Sequence, residues 1–192
     1  MQPPRRSANL RQTPATRVAA VLALVAVLLA PVPASGQFPA EESPAITPSV
    51  QTEADLETEL IQQINAERRL QGVEPLRADG TLTEVARGHS REMAVQGRLG
   101  HTLREGGSLR DRLQDAGYLS RSARENVACA PSIRQAHSAL LNSPPHVRNL
   151  TAPEVTRVGV GIVRLSAEGR SELYVTQIFA QPARSRTDRG SE

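Results

Sequence analysis

The chain has 192 residues and a mass of 20.7 kDa, a length that suits one domain with tails rather than two separately packed domains. Hydrophobic residues make up 39% and charged residues 22%, but aromatics only 2% with no Trp, so the core must be aliphatic and a base-stacking surface is a poor fit. The formal charge of +3 comes from the leader: Arg5, Arg6, Arg11 and Arg17 precede residue 37 with no acid among them, which leaves 19 basic against 20 acidic residues and no footprint for a nucleic acid.

An arginine-bearing start is followed by an unbroken apolar run, Val18 to Ala30, and then by Pro31, Ala34, Ser35 and Gly36. This is the layout of a signal peptide over residues 1–36, too short to span a bilayer, so the expectation is a protein secreted to an extracellular or periplasmic space after cleavage. The Arg5-Arg6 pair raises twin-arginine export, but Ser7, Ala8, Asn9 and Leu10 match that pattern poorly. Residues 37–53, rich in Pro, Ser, Ala and Thr, read as a flexible linker. From residue 54 the periodicity becomes helical: Leu56, Leu60, Ile61 and Ile64 share a face, and Gly72 supplies a stop.

A second helix follows the Asp79-Gly80 turn, with Leu82, Val85, Ala86, His89 and Met93 on its inward stripe and Gly97 at its end. Ser108 and Asp111 approximate a capping box opening a short helix with Leu109 and Leu113 inward. Pro131-Ser132 opens another through Ile133, Ala136 and Leu140, which Ser143-Pro144-Pro145 must end. Asn126 to Ala130 reads as a strand. From Val158 the period becomes two, and the turn at 166–170 joins it to a strand over Leu173 to Ala180, a hairpin. Residues 181–192 read as a polar, disordered tail. Helices first and a hairpin last predict an α+β fold with a mainly antiparallel sheet.

The common catalytic motifs are absent, among them H-E-x-x-H, C-x-x-C and G-x-S-x-G. Cys129 is the only cysteine, so no intramolecular disulfide forms; it reads as a small packing residue about 13 Å from Glu125 along an extended strand. His137 reads as surface or packing, and His89 as a hydrogen-bonded interface residue. His101 lies outside any apolar periodicity, where a loop can present it to a cleft. Glu125 precedes an apolar strand, and His146 follows two prolines that restrict where its imidazole points. The three sit on separate segments, and spacing alone does not bring them together.

The runs Asn65-Ala-Glu-Arg68, His89-Ser90, Gly100-His101-Thr102, Glu125-Asn126-Val127, Ser143-Pro144-Pro145-His146 through Asn149-Leu150, Gly159-Val-Gly161 and Tyr174 to Gln177 resemble, in order, the SCP-like domains of the CAP superfamily, in their bacterial form, over about Leu56 to Ala180. The resemblance implies a three-layer α-β-α sandwich over 54–180. It also implies a cleft lined by two histidines and two acids that in some members binds a divalent metal such as zinc. Matched by motif, His101 and His146 take the histidine positions and Glu125 that of the E-N acid. Ser143 stands where many eukaryotic members have a glutamate. A set of His101, Glu125 and His146 can still hold zinc with water in fourth place.

The leading functional expectation is a monomeric, secreted binding module whose cleft holds a lipid, peptide or cell-envelope ligand. The alternatives are a metal-assisted hydrolase and an envelope accessory domain with a vestigial cleft. Ser143 as a nucleophile with His146 lacks an evident oxyanion hole.

Overall fold

The computed structural model describes residues 51–167 and 169–183; the expected signal peptide over 1–36, nearly all of the expected linker over 37–53 and the expected tail beyond Ala183 lie outside them. In chain order the elements are α1 (Glu53–Leu70), β1 (Arg77–Ala78), α2 (Gly80–Gln96), α3 (Leu109–Asp115), β2 (Ser120–Ala130), α4 (Ile133–Leu141), α5 (Pro144–Leu150), β3 (Arg157–Ala167) and β4 (Arg170–Pro182). The helices start where their caps are encoded. Thr52 and Asp55 form a capping box on α1, Ser108 and Asp111 form one on α3, and Asp79 and Ser132 accept from the first turns of α2 and α4.

The strands form one sheet in the order β1-β3-β4-β2. β4 pairs antiparallel with both neighbours, but β1 runs parallel to β3, Arg77 against Arg157 and Ala78 against Val158. The sheet is therefore mixed, which corrects the mainly antiparallel expectation. A two-residue strand has no period to read. It is held by a distant side chain: Asn65 of α1 exchanges hydrogen bonds with the backbone of Leu76, at 2.7 and 2.9 Å. The prolines at 144 and 145 also do more than expected. They end α4, but they also open α5, occupying its first two positions, where a missing N–H costs no hydrogen bond. β4 continues two residues past Ala180, and Ala183 N–H donates to the Leu119 carbonyl at 2.9 Å.

Helices cover both faces. On one, Leu56, Leu60 and Ile64 of α1 and Ile133, Ala136 and Leu140 of α4 pack on Val158, Val160 and Ile162 of β3 and Val175 and Phe179 of β4. On the other, Leu82 and Ala86 of α2 and Leu113 of α3 meet Ile178 and Ala180, while Met93, Leu103, Val127 and Tyr174 form an adjoining cluster. Each fully buried Leu or Ile contributes about 1.5–3 kcal/mol, so a mostly aliphatic core suffices, with Phe179 and Tyr174 its buried aromatics. Glycine fixes how closely α2 approaches. A Cβ on Gly161 would stand 2.1 Å from the Arg87 backbone nitrogen, and one on Gly159 would stand 2.3 Å from the Leu82 carbonyl carbon. No helix among the described residues is long and apolar enough to cross a membrane.

The sheet has two outer edges. Along β3, beyond the short β1, the outward amide of Ile162 donates to Glu57 Oε1 at 3.1 Å and that of Arg164 to Glu53 Oε1 at 2.7 Å. Glu57 is buried and paired with Arg87, whose Nε donates to it at 2.9 Å. The other edge is β2, and there α5 reaches the backbone of Glu125, whose carbonyl accepts from Asn149 Nδ2 at 3.0 Å.

Candidate functional site

Residues alternate across β2, so Glu125 and Ala123 project toward the α2/α3 layer and Asn126 toward α4 and α5. The Glu125 side chain is only 4% exposed, and a lone carboxylate there would be strongly disfavoured. It is not alone. Oε2 accepts from Arg112 Nη2 of α3, and Oε1 faces His101 Nδ1 at 3.0 Å. Arg112 is itself 8% exposed, so charge and counter-charge are desolvated together.

Arg112 also donates through Nη1 to His89 Nδ1, while His89 Nε2 lies 2.9 Å from the Gly100 carbonyl. A guanidinium can only donate and a carbonyl can only accept, so His89 must be neutral and protonated on Nε2. Burial, the largest influence, holds its pKa below 6.5, in agreement. The bond to Gly100 anchors the loop that carries His101. Glu92, one helical turn along α2, fixes the far side of that loop by accepting from the amides of Glu105 and Gly106 at 3.1 and 2.9 Å.

His101 is thereby held with Nδ1 on Glu125, and its side chain is 56% exposed. The hydrogen bond to Glu125 is the main reason that its pKa is raised above 6.5. His146 arrives from the other side of the strand edge. Its carbonyl accepts from Asn126 Nδ2 at 3.1 Å, Asn126 Nδ2 also reaches Gln177 Oε1 at 3.2 Å, and Asn149 bonds Asn126 Oδ1 at 2.9 Å. This amide network holds α5 to β2. His146 Nδ1 is buried without a hydrogen-bond partner, and its pKa is lowered by burial first and then by the charge of His101.

The structure thus joins Glu125 to His101 directly and sets His146 across the edge of the same strand. It adds Arg112, which sequence reasoning missed, and His89, which was expected to be a hydrogen-bonded interface residue and bonds both Arg112 and Gly100. Arg112 carried a signal: it shares a helical face with the inward Leu109 and Leu113, an odd place for an arginine. Ser143 caps α5 without a side-chain hydrogen bond, and His146 Nδ1 makes no bond to its hydroxyl. Cys129 is half-buried, donates to Glu172 Oε2 at 3.6 Å, and burial pushes its thiol pKa up. His137 is buried on α4.

The expected zinc set does not fit this arrangement. Both Glu125 oxygens are engaged, and the guanidinium of Arg112 already holds the cation position beside that carboxylate. Among the described residues no three His, Cys, Asp or Glu side chains stand together so as to hold a metal ion.

A mixed sheet between helical layers, with a carboxylate–imidazole pair at its outer strand, defines the class as an SCP-type α-β-α sandwich. The model of the CAP, or cysteine-rich secretory protein, family matches residues 61–179, and the chain belongs to that family. It is 31% identical over 125 residues to the uncharacterized protein YkwD of Bacillus subtilis (strain 168), covering 65% of this chain and 49% of that one. Among solved structures, an extracellular SCP-domain protein of Bacillus anthracis str. Ames matches with 28% identity and a TM-score of 0.57, over 69% of this chain and 44% of that one. An outer surface protein of Borrelia burgdorferi shares the fold at 23% identity with a TM-score of 0.59, over 70% of this chain and 97% of that one. The chain thus spans about half the length of YkwD or less than half that of the Bacillus anthracis protein.

Proposed function

We propose that the protein is an exported, monomeric binding module that captures a lipid, peptide or cell-envelope ligand at the His101/Glu125/His146 cleft. The leader over residues 1–36 and the extracellular description of the Bacillus anthracis relative support export. The observation that carries the binding reading is the buried Arg112–Glu125 pair. It neutralises the carboxylate internally and uses it to orient a half-exposed imidazole, a rigid polar anchor beside the outer strand. The test is capture from an envelope extract by the purified chain, beside His101→Ala and His146→Ala. Retention of a component by the wild type and its loss in the variants supports the reading, and no retention by the wild type overturns it.

A hydrolytic reading has one observation in its favour. Glu125 accepts from His101 at Nδ1, which leaves Nε2 able to take a proton from a water. Peptide-hydrolysis assays of the wild type against His101→Ala decide it, since this reading requires activity that the variant lacks.

A further inference from the structure

Beside the cleft lies a groove of about 740 Å³ between α3 and the start of β2. Its apolar surfaces are Leu109, Leu113, Tyr118 and Ala123, and its charged groups are Arg110 and Arg121, both exposed, with no acid among the lining residues. The backbone of β2 borders it. Glu125 turns its carbonyl outward to Asn149, and Ala180, the partner of Ala123 on β4, gives its own carbonyl to Thr156 on the opposite side. By alternation, Ala123 points its N–H and C=O away from β4 toward the outer edge. Ala123 also shares a face with Glu125, so groove and cleft adjoin about 7 Å apart along the strand.

We propose that this groove binds an extended acidic peptide, whose main chain pairs with Ala123 and whose carboxylates meet Arg110 and Arg121. This deepens the binding reading above and rests on it. Strand addition explains why this edge stays open while β3 is covered by carboxylates, and two arginines in a groove with no acid among its lining residues set the charge of the partner. The apolar surfaces take alternate side chains of the peptide. Its course toward Glu125 then brings its next residues to His101.

The experiment is fluorescence anisotropy on the full mature chain. The probes are a labelled hexapeptide of alternating glutamate and valine, its lysine–valine counterpart, and vesicles of phosphatidylglycerol. The acidic peptide should bind and the basic one should not. Arg110→Glu with Arg121→Glu, both on the surface, should weaken binding at least about tenfold. Ala123→Pro removes the outward donor while sparing the ladder to β4, and should weaken binding several-fold with an unchanged circular dichroism spectrum. Equal binding of both peptides, no binding of the acidic one, or an arginine-dependent affinity for the vesicles alone would overturn the proposal. If envelope capture still depends on His101 while the acidic peptide fails, the groove inference falls and the binding module stands; if capture fails too, both fall.

Discussion

The two outer edges of the sheet are built from the same backbone and treated in opposite ways. At β3 the outward amides are taken by Glu53 and Glu57, side chains of the first helix, and Arg87 neutralises the buried Glu57 from α2. At β2 α5 meets Glu125 and Asn126, through Asn149 and the His146 carbonyl, and the strand upstream of them borders an open groove. An exposed edge invites pairing with another chain. The molecule closes the β3 edge with side chains of α1 and sets the Arg112–Glu125–His101 cluster at the other.

The comparison breaks most sharply at Arg112. Arg112→Met leaves Glu125 buried without its cation and should cost about 3–5 kcal/mol, read from urea unfolding. Restoring most of that stability with Glu125→Gln in the same chain would assign the loss to the orphaned charge. At the closed edge, Glu57→Gln should cost about 1–3 kcal/mol, because the neutral amide loses the charge-assisted bond to Arg87 and only partly replaces the acceptor for Ile162. A smaller cost at Glu57 than at an exposed control such as Glu74 would refute the sealed-edge description.

Titration sharpens the contrast further. Burial holds His89, His137 and His146 below 6.5, so the unfolded chain binds more protons as pH falls below 6.5 and stability drops there. His101 is raised, so its contribution is whole below 6.5 and is lost as pH rises through its folded value. Unfolding midpoints between about pH 5 and 8 should show both slopes, and Glu125→Gln should remove the upper one while bringing the His101 imidazole resonance back toward an ordinary titration. The smallest effect concerns metal. Calorimetric titration of the wild type with zinc should show no micromolar site, and Ser143→Ala should shift stability by less than about 0.5 kcal/mol. Tight zinc binding abolished by His101→Ala would overturn the view of Arg112 as the resident cation.

Much of this was legible in the chain. Leu56, Leu60 and Ile64 announce α1, Asp79 and Gly97 bracket α2, and the alternation from Val158 marks β3, because each is a local pattern with a physical period. β1 was not legible, since two residues have no period and their position depends on Asn65, eleven residues earlier. α5 was hidden because prolines that stop one helix also start another. Of the cleft, His101, Glu125 and His146 were read from the family's motifs, yet the hand that holds them was not. Arg112 reaches Glu125 across thirteen residues of sequence, and only the packing of α3 on the sheet brings the two together.

That guanidinium has a consequence for supply. A cleft whose positive charge is translated with the chain is complete as soon as the chain folds. The guanidinium of Arg112 does not exchange with the solvent as a bound ion would, so treatment with a chelator should leave the Arg112–Glu125 pair unchanged. Its charge balance is inherited in a codon rather than gathered from solution.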